Sequence, residues 1–224
     1  MSYKLLLLLA LFAATTCAGN IILIGDSRFC GMAYYVMGFD YTYIAPSWGT
    51  GSNIRSTTPI TYNGYSIHVT AQVGASASTF MNSSKDVYTS MHRQLVQAAA
   101  GTKVFLWLGV NDLSSSSTLN LYKKLASAYT KLTFYAVSVT GVGSRATITN
   151  TQIKTLNSGI QSGTGSPSNL KWESILKDND PTRIYNKSTK TVTFTVNDST
   201  TDYYGLHYTT DGYRKIFDAM MADI

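Results

Sequence analysis

The run Asn20-Ile21-Ile22-Leu23-Ile24-Gly25-Asp26-Ser27-Arg28 decides the fold. Its four consecutive aliphatic residues read as a short buried strand, and Gly25 ends it. The chain then passes into a short helix expected over residues 29–37. A serine on such a tight strand-to-helix turn is presented to solvent. It also sits beside a helix amino terminus, whose free N–H groups and dipole favour developing negative charge. Taken alone, the tetrapeptide Gly25-Asp26-Ser27-Arg28 has a simpler explanation, in which Asp26 or Ser27 merely caps the helix.

Outward from this turn, apolar runs and helical patterns alternate. Residues 57–73 read as strand, with Asn63-Gly64 as a hairpin turn inside them. Residues 84–100 read as a helix, with Val87, Met91, Leu95 and Ala98 on one face. Residues 103–108 form a second buried strand, stopped by Gly109. A helix over 117–130, with Leu121, Leu125, Ala128 and Leu132 at helical spacing, leads to a strand over 132–139. Residues 150–162 place Ile153, Leu156 and Ile160 on one helical face, and a Gly/Ser/Pro loop follows at 163–168. A strand at 191–196 pairs with 183–185, and a last helix at 210–223 buries Tyr213, Ile216, Phe217 and Met220. The alternation argues for an α/β sandwich with a mainly parallel sheet of about five strands. Ligands in such sheets bind beyond the carboxyl ends of the strands. The loops after Ile24, Val73, Leu108 and Val139 are therefore where chemistry is expected.

Composition narrows the function classes. Of 224 residues only 13% are charged, 44% are hydrophobic, and 16 are tyrosines. That excludes a disordered chain. Two cysteines exclude a disulfide scaffold, and with three histidines they barely supply a zinc cluster. The net charge of +6 reflects a shortage of acids, with Glu173 the single glutamate. The basic residues are scattered rather than set in a stripe, so nucleic acid is not an expected partner.

At the amino terminus Lys4 precedes an apolar run at residues 5–14, followed by the small residues Thr15, Thr16, Cys17, Ala18 and Gly19. This is the pattern of a secretory signal peptide over 1–18, with the domain at 19–224 and Cys30 its single thiol. Ten apolar residues span about 15 Å as a helix, half of a bilayer core, so no stable membrane span is expected. Acylation of Cys17, giving a lipoprotein, is the competing reading. Three sequons stand at Asn82, Asn186 and Asn197.

Two further loops carry candidate chemistry. Gly109-Val110-Asn111-Asp112 follows the strand at 103–108, and an asparagine there can aim an amide N–H at the pocket of Ser27. A simple turn is the plainer reading. Near the end stands Tyr204-Gly205-Leu206-His207-Tyr208. A serine nucleophile needs a base, and His207 is the histidine that lies in a loop. His68 falls in a strand and His92 within a helix, where structural roles are expected.

Together these blocks resemble the SGNH (GDSL-type) hydrolases. Gly25-Asp26-Ser27 looks like the first block of that family, and Gly74 in Gln72-Val73-Gly74-Ala75-Ser76 looks like the glycine of the second. Gly109-Val110-Asn111-Asp112 matches the third, and Gly205-Leu206-His207-Tyr208-Thr209 with Gly212-Tyr213 matches the last. The resemblance implies a flavodoxin-like three-layer α/β/α sandwich and ester hydrolysis through an acyl-enzyme, with no metal or organic cofactor. Ser27 would be nucleophile and His207 the base. The Ser27 and Gly74 N–H groups and the Asn111 amide would form the oxyanion hole.

One departure matters. The family usually holds aspartate three residues before the histidine, and Tyr204 stands there. Three outcomes are open: Asp202 reaches His207 if the loop bends, a backbone carbonyl or water accepts the Nδ1 proton, or activity is weak or lost. Asp26 and Asp112 are expected to order their own loops. The expected partner is a small-molecule or carbohydrate ester, with O-acetyl groups on carbohydrate as one candidate. Trp48, in a Gly/Ser/Thr-rich loop, is the residue proposed to stack on a sugar, and no long apolar lid suggests a long-chain lipase. An inactive glycan- or ester-binding protein is the alternative that Tyr204 motivates.

Overall fold

A computed structural model describes residues 19–39 and 52–222. The expected signal peptide, the Cys17 site and Trp48 lie outside the described residues. Among those described, no helix is long and apolar enough to cross a membrane.

The central strand β1 (Gly19–Gly25) is the one read from the opening run. Ile21, Ile22, Leu23 and Ile24 are all buried, as a strand covered on both faces requires. Next in the chain come α1 (Ser27–Tyr35) and three strands, β2 (Asn53–Arg55), β3 (Ile60–Tyr62) and β4 (Tyr65–Gln72). The helices α2 (Ala77–Met81) and α3 (Asp86–Gln97) lead to β5 (Lys103–Trp107). Then follow α4 (Ser115–Ala128), β6 (Thr133–Val137), α5 (Asn150–Gln161) and β7 (Leu170–Glu173). A separate antiparallel pair, β8 (Arg183–Asn186) and β9 (Thr191–Thr195), precedes the last helix α6 (Thr210–Met221).

The sheet order is β2-β4-β1-β5-β6-β7, with β3 also on β4. The five strands β4, β1, β5, β6 and β7 are mutually parallel. In order of appearance they run 2-1-3-4-5, the flavodoxin-like arrangement. The sheet has seven strands rather than the expected five or so, because β2 and β3 add antiparallel on β4. These two are three residues long and carry little periodicity, so a sequence pattern registers them poorly. They lie in tandem along the outer edge of β4. The β3–β4 hairpin turns at Asn63-Gly64, both at positive φ (48° and 79°), as that dipeptide predicts.

The connection β1→β4 runs one way along the sheet, and β4→β5 returns over β1. Right-handed crossovers therefore put α1 on the face opposite α2–α5. The contacts agree, with α1 packed on α6, and α2 and α5 both packed on α4. The apolar faces read for α3, α5 and α6 are buried, including Met91, Leu156 and Phe217, except Ala98, which lies just past the end of α3 and is half-buried. In α4 the register differs: Leu121, Tyr122, Leu125 and Ala126 are buried, whereas Ala128 is exposed. Cys30, on α1, is a buried free thiol, and burial pushes its pKa well above the ordinary range.

β1 forms its switch point with β4 on one side and β5 on the other. The carboxyl end of β1 therefore opens between the loops that follow β4 and β5. Gly25 makes the turn there possible. A Cβ on it would stand 2.5 Å from the Trp107 carbonyl oxygen and 2.7 Å from the Phe29 ring. Gly25→Ala is expected to destabilise the fold by about 1–3 kcal/mol, the usual cost of overpacking. Urea unfolding checks this: the midpoint falls while the slope stays that of the parent.

Candidate active site

Ser27 is the first residue of α1, so its hydroxyl stands at the helix amino terminus. Asp26 is the cap: its backbone is extended and its carboxyl accepts from the Arg28 N–H at 3.0 Å. The cap and the serine are thus separate adjacent residues, and the side chain of Ser27 is left for another partner. That partner is His207, whose Nε2 lies 2.8 Å from Ser27 Oγ across 180 positions of sequence.

The loop bearing His207 folds back on itself. Asp202 N–H donates to the His207 carbonyl at 2.8 Å, and Gly205 N–H donates to the Asp202 carbonyl at 3.0 Å. Gly205 takes φ +70°, a left-handed conformation that glycine adopts without strain. This reversal brings Asp202 Oδ2 to 2.8 Å from His207 Nδ1. Asp202 Oδ1 accepts from the backbone N–H groups of Leu206 at 2.9 Å and His207 at 3.3 Å. Tyr204, at the position where the motif suggests an acid, stands at the tip of the turn and is 67% exposed.

Asp202 is only partly buried. Burial pushes its pKa up, but the hydrogen bonds from His207 and Leu206 and the nearby imidazole outweigh that, and it lies below the ordinary value. It is therefore an anion at neutral pH and must accept, so Nδ1 of His207 carries the hydrogen. In a neutral imidazole Nε2 then accepts from the Ser27 O–H.

The other loops expected to hold chemistry meet at the same end of the sheet. Gly74 follows β4 with φ +73°. Asn111 follows β5, and its Nδ2 donates to the Ala75 carbonyl at 2.8 Å, tying the two loops together. Asn111 has a second amide N–H beyond that bond. Asp112 accepts from Ser114 N–H at 3.4 Å and orders its own loop. His68 contacts Ser56 Oγ at 3.3 Å and His92 contacts Tyr129, both away from Ser27.

Sequence reasoning missed a second set of residues. Arg28 is 1% exposed. It donates to the Thr140 carbonyl at 2.8 Å and the Gly141 carbonyl at 3.4 Å. Its guanidinium lies 5.4 Å from the Tyr208 ring centroid and 5.9 Å from that of Trp107. Tyr208 OH also donates to the Gly141 carbonyl, at 2.7 Å. The same two-residue segment therefore holds the neighbours of both Ser27 and His207. The available signal was the loop after Val139, marked as a place to search, together with an arginine directly after the serine.

Beside His207 and Asp202 opens a cavity of about 400 Å³, walled largely by tyrosines.

No family model matches the chain, and no curated protein matches it in sequence. Solved structures do share its fold. An acetyl xylan esterase is 13% identical, covers 92% of this chain and 99% of its own, and has a TM-score of 0.53. A carbohydrate esterase family 3 protein from Talaromyces cellulolyticus is 13% identical over 90% of this chain and 94% of its own, at 0.52. An acetyl esterase mutant with acetate ion is 13% identical over 91% and 94%, at 0.51. The expected α/β/α architecture is thus the one observed, and these esterases share it.

Asp26 has the opposite environment from Asp202. Fully buried, it is pushed up to about 6, against the pull of Arg28 and its backbone N–H. A carboxyl whose folded pKa is raised binds its proton more tightly in the native state. Its ionisation therefore erodes stability as pH rises from the unfolded value toward about 6. The stability of Asp26→Asn relative to the parent should accordingly rise between pH 4 and 7 by on the order of 2–3 kcal/mol. Chemical denaturation at both pH values measures this. A difference independent of pH would contradict the assignment.

Proposed function

We propose that this protein is a serine ester hydrolase of the SGNH type, cleaving carboxylic esters through an acyl-enzyme. The observation that carries the reading is the continuous chain Ser27–His207–Asp202, with 2.8 Å at each link. A serine at a helix amino terminus, an imidazole in the tautomer that accepts its proton, and a carboxylate on the far nitrogen together make an activated nucleophile.

In this mechanism Ser27 Oγ attacks the ester carbonyl carbon while its proton passes to His207 Nε2. The resulting imidazolium is stabilised by Asp202. The carbonyl oxygen becomes an oxyanion, to which the Ser27 N–H, the Gly74 N–H and the second Asn111 amide hydrogen donate. Such donors act most strongly where charge develops, and losing one typically costs about 10²–10³ in rate. The tetrahedral species collapses, the C–O bond to the alcohol breaks, and His207 returns its proton to the leaving oxygen. Water then attacks the acyl-Ser27 ester by the same base, releasing the acid and restoring the serine.

The proximity of Asp202 to His207 supports the hydrolase reading over an inactive binding protein, the alternative that Tyr204 motivates. The esterases that share the fold act on carbohydrate and acetyl esters, which supports a short acyl group. Secretion is part of the proposal and rests on the leader-like residues 1–18.

Hydrolysis of p-nitrophenyl acetate tests the reading. Ser27→Ala and His207→Ala are each expected to lower kcat/KM by about 10³-fold or more, and Asp202→Asn by about 10²–10⁴-fold. Parent activity equal to that of Ser27→Ala would refute it.

A further inference from the structure

The cavity beside the catalytic chain has an unusual wall. It is built from Tyr35, Tyr204, Tyr208 and Tyr213, with Thr209 and Thr210, and His207 and Asp202 complete it. Among the described residues no aliphatic side chain lines it. A pocket for a fatty acyl chain draws its affinity from apolar contact, at about 0.8 kcal/mol for each buried methylene. Leu, Ile, Val or Met walls would serve that purpose. Tyr35 and Tyr204, the exposed tyrosines of the wall, offer flat π faces with hydroxyls along their edges instead, while Tyr208 and Tyr213 are themselves buried. A pyranose ring has the matching shape: a flat face of C–H bonds and a rim of hydroxyl groups.

The exposed rings are concentrated here. Among the described residues four large hydrophobic side chains are exposed, and three of them are Tyr35 (47%), Tyr203 (77%) and Tyr204 (67%). Tyr35 and Tyr204 line the cavity directly. Tyr203 packs edge-on against Tyr204 with ring centroids 5.4 Å apart, and the Arg145 guanidinium lies 6.0 Å from the Tyr203 ring. On the other side Tyr35 lies nearly parallel to Tyr213, at 6.3 Å and 16°. Each of these rings thus has an aromatic neighbour in place before anything binds, and such prior contact limits the entropy lost on association. Clustered exposed apolar surface beside His207 and Asp202 marks a contact made in use.

We infer that Tyr204, buttressed by Tyr203 and acting with Tyr35, is a stacking platform for a sugar ring in the alcohol part of the ester. The substrate class is then an acylated carbohydrate rather than a lipid. This inference rests on the ester-hydrolase reading above. It also gives the tyrosine at 204 a purpose. Asp202 supplies the carboxylate from inside the turn, so the tip is free to present a ring to the substrate.

Two substrates that share an acetyl group separate the platform from the chemistry: acetylated xylo-oligosaccharides and p-nitrophenyl acetate. Tyr204→Ala is expected to lower the ratio of kcat/KM for the sugar ester to that for p-nitrophenyl acetate about tenfold, chiefly through KM for the sugar. Tyr204→Trp, which keeps a stacking face, is expected to retain the parental ratio. Calorimetry provides a readout without turnover. Ser27→Ala should bind the acetylated xylo-oligosaccharide about tenfold more tightly than Ser27→Ala/Tyr204→Ala. An unchanged ratio in Tyr204→Ala, equal affinities in the two serine variants, or a parent preference for p-nitrophenyl laurate over the sugar ester would each overturn the platform. If the parent and Ser27→Ala hydrolyse p-nitrophenyl acetate equally, the hydrolase reading fails instead, and calorimetry still decides the platform.

Discussion

A guanidinium inside a protein must have partners, because an unpaired buried charge is prohibitively costly. Arg28 finds them in the carbonyl groups of Thr140 and Gly141, the faces of two aromatic rings and the nearby Asp26 carboxyl, while its Nε has no hydrogen-bond partner among the described residues. The rest of the site follows from this constraint. The segment that supplies the carbonyls is itself clamped by α5. Asn157 exchanges two hydrogen bonds with Val139, at 2.7 and 2.8 Å, and Asn150 two with Val142, at 2.9 and 3.0 Å. Tyr208 donates to the same Gly141 carbonyl. Residues next to Ser27 and His207 are thus tied to one short loop. The approach of two side chains so distant in sequence depends on that loop rather than on either element alone.

The two aspartates near Ser27 show how little of a carboxyl's behaviour is written in its identity. Asp26 lies in the core and accepts one backbone N–H, and desolvation dominates. Asp202 is partly solvated and accepts from three N–H groups within its own turn, so the donors outweigh burial. One is biased toward its acid form and the other toward its anion. Environments that separate like groups in this way commonly mark a division of labour. Here the Asp202 anion faces the imidazole, and the buried Asp26 carboxyl caps the helix that carries the serine.

Much of this was legible in the residues. The strands β1 and β5 announce themselves as apolar runs ended by glycine, and Asn63-Gly64 marks its hairpin unambiguously. The helices α3, α5 and α6 carry clear apolar faces. What escaped has physical causes. β7 is an edge strand of four residues whose burial alternates irregularly, so it lacks the signal of its central neighbours. α2 has five residues and is defined by the capping box of Ser76 and Thr79 rather than by periodicity. The place of Asp202 beneath His207 was one of three open outcomes. It depends on the backbone reversal at Gly205, which spacing alone does not reveal. The Arg28 clamp depends on tertiary contacts across more than a hundred residues, beyond the reach of any local pattern.

The two short strands along β4 bear on how copies of this chain behave at high concentration. A parallel sheet with a bare outer strand offers a row of unpaired N–H and C=O groups to any passing chain. β4 has eight residues and would make a long template. Its outer edge is instead divided between two strands of three residues each, too short to recruit a partner strand firmly. At the opposite border β7 has four residues, with the exposed Lys171 placed among them. The sheet is therefore closed to edge-on stacking on both sides, and its capacity to nucleate fibrous aggregates is low.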